Sequence, residues 1–154
     1  MKHDILGEVE LLDGRPFDAT AVVRYESRDI PFGLCRDDQS LEVALALAAK
    51  VARRLGELDQ RAKKKAAADL CNTYNGGWNE YDEGQEDGSF RTVINPQLSR
   101  TEFEAKLSLQ AVNVTGAEML EFHYDDEGMF WGHAVIVTSM KGVDLSEAYA
   151  ELFG

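Results

Sequence analysis

The chain has 154 residues, 44% of them hydrophobic and 29% charged, and its 16 Lys and Arg against 28 Asp and Glu leave a formal net charge of −12. A chain of this length buries about two-thirds or more of its unfolded surface without disulfides or metal, so a single domain over residues 1–154 is expected; neither a disordered nor a membrane-spanning chain fits the composition. The acidity opposes non-specific binding to nucleic acid or to an anionic lipid surface.

The first eight residues, Met1 to Glu8, contain no apolar run and no small-residue cleavage pattern, so a cytoplasmic protein is expected. Cys35 and Cys71 lie outside any C-x-x-C spacing, and in that compartment they are expected to be reduced and packed. Ile5 to Leu12 reads as a strand and Asp13-Gly14 as a turn. Phe17, Ala19, Ala21, Val23 and Tyr25 then alternate with polar or outward residues, the period of a half-buried strand. Ile30 to Leu34 forms a third strand, in which Pro31 favours an edge because it has no N–H to give a ladder. These strands make an antiparallel meander.

After Arg36 the period changes. Asp37, Asp38 and Ser40 supply acidic and capping groups, and apolar residues from Leu41 to Leu70 recur mostly three and four apart. One long amphipathic helix is expected, with Gly56 as a point where it can bend and Asn75-Gly76-Gly77 as its stop. Its polar face carries Lys50, Arg53, Arg54, Arg61, Lys63, Lys64 and Lys65, read as a solvated face. From Gly76 to Pro96 the chain reads as a long polar loop. It holds Glu80, Asp82, Glu83, Glu86 and Asp87 interleaved with Trp78, Tyr81 and Phe90. Loops of that length inside a compact domain are mobile or functional, and here the aromatics can either pin the loop to the body or face a partner. The acids do not follow the spacing of an EF-hand loop.

Ser99 and Glu102 have capping-box spacing, with Leu98 and Phe103 placed for a hydrophobic staple, so a short helix is expected over about Arg100 to Leu107. Leu109 to Val114, Met119 to Tyr124 and Phe130 to Thr138 read as three further strands, and Asp144 to Glu147 as a last helical turn. A three-residue turn at Asp126-Glu127-Gly128 would pair Asp125 with Met129, which puts His123 across from Trp131 and Glu121 across from His133. The grouping of Glu121, His123, Trp131 and His133 has two readings. In one, Glu121 fixes the tautomer of His133 in an acid-base or metal-binding cluster; in the other, the pair is structural packing. No nucleophile lies on these strands, and zinc lacks its third and fourth ligands. Neither G-x-G-x-x-G nor a Walker motif occurs, so no cofactor is expected.

Three stretches resemble one bacterial family, domain of unknown function 2262. They are the run from Phe122 to Val137 with its F-W-G-H core at Phe130-Trp131-Gly132-His133, the helix end Leu70 to Trp78 with its Asn75-x-x-Trp78, and the capped helix Leu98 to Leu107. The likeness covers nearly the whole chain, with Asn79 to Asn95 longer and more acidic than the family pattern. The resemblance implies an α+β domain of bacterial cytoplasm and brings no activity with it.

The fold expected is α+β: an antiparallel sheet of N- and C-terminal meanders packed against one long and one short helix. The leading functional expectation is a non-catalytic protein-interaction module whose acidic surface meets a basic protein partner through the Trp78 to Asp87 segment. The alternative is a small enzyme or metal-dependent binder using the Glu121, His123 and His133 cluster, with Asp125 or Asp126 at the strand end.

Overall fold

The computed structural model describes residues 1–154. An eight-stranded sheet runs in the order β1 (Lys2–His3), β2 (Gly7–Leu11), β3 (Ala19–Tyr25), β4 (Arg28–Cys35), β7 (Ser108–Thr115), β8 (Met119–Asp125), β9 (Ala134–Ser139), β10 (Tyr149–Phe153). Two further strands, β5 (Glu80–Gly84) and β6 (Phe90–Ile94), form a separate hairpin. Every neighbouring pair is antiparallel except β4 and β7, which run parallel. The two meanders read from the sequence are therefore joined edge to edge by a parallel pair. Such a pair needs a long crossover, and here residues 36–107 supply it, carrying all three helices and the hairpin.

Alternation decides the faces. Cross-strand pairing aligns Val9, Ala21, Phe32, Val112, Phe122, Val137 and Ala150 in one row across the sheet. All seven belong to a single core cluster that also contains Ala48, Val51, Leu58, Ala62 and Ala66 from the helices. The adjacent row on the opposite face is Thr20, Gly33, Asn113, Glu121, Thr138 and Tyr149. Pro31 pairs with Val22 of β3, while the β4–β7 ladder begins only at Phe32, so the proline occupies the stretch of β4 that has one partner.

The expected long helix is two helices, α1 (Leu41–Arg53) and α2 (Leu55–Thr73). The break falls at Arg54 rather than Gly56. The Arg54 amide bonds the carbonyl of Val51, a tighter i to i−3 closure, while its guanidinium holds Glu57. The short helix, α3 (Arg100–Ala105), carries both bonds of the capping box between Ser99 and Glu102.

Two further expectations are corrected. Residues 80–84 and 90–94 are the two strands of a hairpin, not part of a long loop. The period-2 signal was hidden because both faces of the hairpin meet solvent, and its register is held instead by Glu83–Arg91 and by Thr92 donating to Asp82 (2.9 Å). Asp144 to Glu147 is a turn leading into β10, not a last helical turn. The Asp144 carboxylate accepts from the Ser146 amide (3.0 Å), the local bond that makes Asp a turn former as readily as a helix cap.

A buried polar anchor ties α2 to the sheet. Asp59, 1% exposed, accepts from the hydroxyls of Tyr25 of β3 and Tyr124 of β8, both at 2.7 Å, with the Lys63 ammonium at 3.5 Å. Burial, then the neighbouring carboxylate, pushes the Tyr124 phenol well above its ordinary pKa; the Tyr25 phenol is raised by the same two causes.

Candidate functional site: an aromatic groove

A tight turn does close at 126–129, but it does not join the strands: Asp125 and Met129 are not paired. β8 and β9 pair Glu121 with Thr138, Phe122 with Val137 and His123 with Ile136, so residues 126–133 are a loop outside the strands. The cause is Asp126. The residue is 5% exposed; its carboxylate accepts from the amides of Gly128 (2.9 Å) and Phe130 (3.1 Å), and its carbonyl accepts from Met129 (3.2 Å). Backbone groups that a hairpin ladder would use are thereby spent inside the loop. Phe130 drops into the core, fully buried.

This wrapping separates the histidines. His123 stays on the sheet face opposite the core row, where Asn113 Nδ2 donates to its Nε2 (3.1 Å); burial pushes its pKa down, and nearby Glu121 partly opposes the shift. His133 sits in the loop, its Nδ1 donating to the Phe130 carbonyl (2.8 Å) and its ring 5.3 Å from Trp78, edge to face. The Glu121–His133 pairing across the strands and the facing of His123 with Trp131 are therefore absent. No three His, Cys, Asp or Glu side chains come together as a metal-binding group, and both cysteines are free thiols.

Trp131 instead joins residues from the other end of the crossover. After α2, residues Tyr74–Trp78 close a wide turn in which the Asn79 amide reaches back to the Tyr74 carbonyl (3.1 Å), a π-type closure. Two asparagines fasten it. The Asn75 side chain grips both backbone groups of Leu98, donating to its carbonyl (2.9 Å) and accepting from its amide (2.8 Å). Asn79, 4% exposed, donates from Nδ2 to the Asn95 carbonyl (3.0 Å), while its own carbonyl accepts from the Asn95 amide (2.7 Å). The base of the β5–β6 hairpin and the lead into α3 are thus clamped to the end of α2.

Trp78 is held by this turn and stacks with Trp131 at 4.6 Å between ring centroids, the planes tilted by 50°. Phe130 meets Trp78 at 5.3 Å and Tyr74 at 5.9 Å, both edge to face, so the pair rests on an aromatic floor continuous with the core. Trp131 has φ of +55° and is 57% exposed. A bulky side chain in the left-handed region costs about 1–2 kcal/mol, and strain of this kind collects at binding and catalytic sites. Beside the Trp pair lies a cavity of about 430 Å³ lined by Tyr74, Trp78, Tyr81, Pro96, Leu98, Met129 and Trp131, with Asn95, Glu102, Lys106, Glu127 and Gly128 completing its wall.

Of the acidic and aromatic residues singled out in the sequence, Trp78 and Tyr81 line the groove. Glu80, Asp82 and Glu83 lie on exposed β5, and Glu86 and Asp87 at the hairpin tip, where Asp87 accepts from the Ser89 amide and its carboxyl is held low by that residue. The sequence groups Trp131 with Glu121 and the two histidines; in the fold it completes this groove instead. Tyr74, Pro96 and Met129 are not evident in the sequence as groove residues; Tyr74 and Met129 adjoin the Asn-Gly-Gly-Trp and Asp-Glu-Gly segments, and Pro96 has no such neighbour.

The protein is an α+β domain with an aromatic groove at the end of α2. The chain belongs to the family described as "Uncharacterized protein conserved in bacteria (DUF2262)", whose model matches residues 3–149. No curated protein and no solved structure matches it. No helix is long and apolar enough to cross a membrane.

Proposed function

We propose that the chain is a non-catalytic protein-interaction module whose aromatic groove takes an extended, cationic peptide segment of a basic protein partner. The observation that carries this reading is Trp131, a tryptophan held at positive φ, more than half exposed and stacked on Trp78 over an open cavity. Faces of Trp and Tyr attract guanidinium and ammonium groups, and aromatic-lined grooves also receive proline. The carboxylates of Glu102, which caps α3 through the Ser99 amide, and Glu127, 3.5 Å from Lys106, stand in the wall, and the acidic β5 strand adjoins it. A net charge of −12 steers a basic segment toward the protein and slows an acidic one.

The hairpin supports the same reading. Two-stranded sheets are marginal in water, yet this one stands clear of the core with Phe90 74% and Ile94 65% exposed. These residues give a partner apolar surface to cover beside the groove.

An arrayed library of synthetic peptides of varied composition tests the proposal. Bound peptides are expected to be enriched in Arg, Lys and Pro, to weaken at high salt, and to be lost from the Trp131→Ala chain. A Trp131→Ala chain that retains the same peptides at the same affinity would refute it.

A further inference from the structure

A second cavity lies where α2, the start of α3 and the β9–β10 connection meet. Arg61, Lys64, Lys65 and Ala68 stand at i, i+3, i+4 and i+7 of α2, one stripe of an α-helix. With Arg100, Asp144, Leu145 and Ser146 they line a space of about 490 Å³. Leu145 is buried, and Lys65 Nζ donates to the Ser146 carbonyl (2.9 Å), which holds the far wall against the helix.

Four cations thus share this cleft with one carboxylate, in a chain of net charge −12. Although the chain carries 28 acids, Lys64 and Arg100 have none within 4.0 Å. Arg61 reaches only Glu57 (3.6 Å), which already accepts two bonds from Arg54. The Asp144 carboxylate is turned to the Ser146 amide. Like charges three and four apart destabilise a helix, so an anion bridging this stripe relieves repulsion as it binds.

We infer that this cleft binds a phosphate-bearing small molecule, a phosphomonoester or diphosphate, through Arg61, Lys64, Lys65 and Arg100, with the ligand's apolar part over Ala68 and Leu145. Guanidinium forks match phosphate oxygens two at a time and ammonium groups add point charge. The volume suits a small ligand. A polyanionic macromolecule would have to extend past the cleft over an acidic surface that repels it, whereas a small anion stays within reach of the cations alone. No residue lines both this cleft and the aromatic groove.

Calorimetric titration of the full chain with sodium pyrophosphate at fixed ionic strength tests the inference, with parallel titrations of inorganic phosphate and of phosphatidylcholine vesicles containing phosphatidic acid. One saturable pyrophosphate site is expected, weakened at least tenfold in the Lys64→Ala, Arg100→Ala double variant. The control Lys50→Ala, an exposed lysine of α1 with no ion pair, should match the parent. Both tryptophans of the chain stand in the other cavity, so their emission should not respond to pyrophosphate. The inference is overturned if neither pyrophosphate nor phosphate saturates, if the double variant binds as the parent does, or if the vesicles bind in preference.

Discussion

Replacing Asp59 removes the acceptor that joins α2 to two strands, and the structure gives the size of the loss. Its side chain is 2% exposed and takes hydroxyl bonds of 2.7 Å from Tyr25 and Tyr124, with Lys63 at 3.5 Å. Hydrogen bonds to a charged group contribute about 1.5–3 kcal/mol each. Tyr124→Phe removes one such bond and leaves no donor stranded, so a loss of about 1.5–3 kcal/mol is expected. Asp59→Ala strands the buried Tyr124 hydroxyl, whose remaining acceptor is the Asp59 carbonyl at 3.3 Å, and leaves Lys63 without its carboxylate. Breaking a buried charged network in this way costs about 3–5 kcal/mol, or roughly 10–15 °C in Tm for a chain of this length.

Urea unfolding followed by far-ultraviolet circular dichroism measures both changes, and the double variant closes the cycle. Because the two residues share one bond, the combined loss should fall short of the sum by about 1–2 kcal/mol. The pH dependence has a definite sign. The folded state holds the phenol protons of Tyr25 and Tyr124 more tightly than the unfolded state does. Their contribution is therefore complete below the unfolded tyrosine pKa of about 10 and is lost as pH rises through the folded values. Ring resonances of both residues should show no ionisation at pH ~10 in the folded chain. An Asp59→Ala loss under about 1 kcal/mol, with strict additivity in the cycle, would show that Asp59 does not anchor α2 to the sheet.

Asp126→Ala removes the acceptor of two amides inside the 126–133 loop and should cost roughly 2–4 kcal/mol, with loss of the near-ultraviolet dichroism that the Trp78–Trp131 pair produces. Trp131→Asn exchanges a strained aromatic for a residue that tolerates positive φ. Relief of about 1–2 kcal/mol offsets lost stacking of about 0.5–1.5 kcal/mol, so urea unfolding should change little while cationic-peptide binding falls at least tenfold. His123 should titrate below the ordinary histidine value of about 6.5 in NMR spectra, and Glu121→Gln should lower it further because the carboxylate supports the charged ring. With the folded pKa depressed, the His123 contribution to stability is present above about pH 6.5 and is lost as pH falls; a raised midpoint would contradict this.

The strands with one buried face were legible because period-2 alternation carries the burial pattern directly, as in Ala19, Ala21 and Val23 against Thr20 and Val22. The capping box at Ser99 was equally local and equally plain. What escaped the sequence depends on non-local competition. Phe130 to His133 is as apolar and aromatic as a strand, but a carboxylate four residues before it wraps the backbone, and the core claims Phe130. The 80–94 hairpin lacks an inner face, so no alternation marks it. The parallel β4–β7 pair joins segments separated by the whole crossover, which no local pattern reports. Asp59 did leave a trace: it is a carboxylate on the apolar stripe between Leu55, Leu58 and Ala62. The groove was half legible, since both Trp78 and Trp131 stood out while their contact depends on how two loops fold.

Amide chemical-shift mapping with an arginine- and proline-rich peptide tests the proposed role of the groove most directly. Saturable perturbations are expected, concentrated in residues 74–81, 95–98 and 126–133, the segments that build the cavity. Perturbations confined to the sheet face around Glu121 and His123, or none at all, would contradict it.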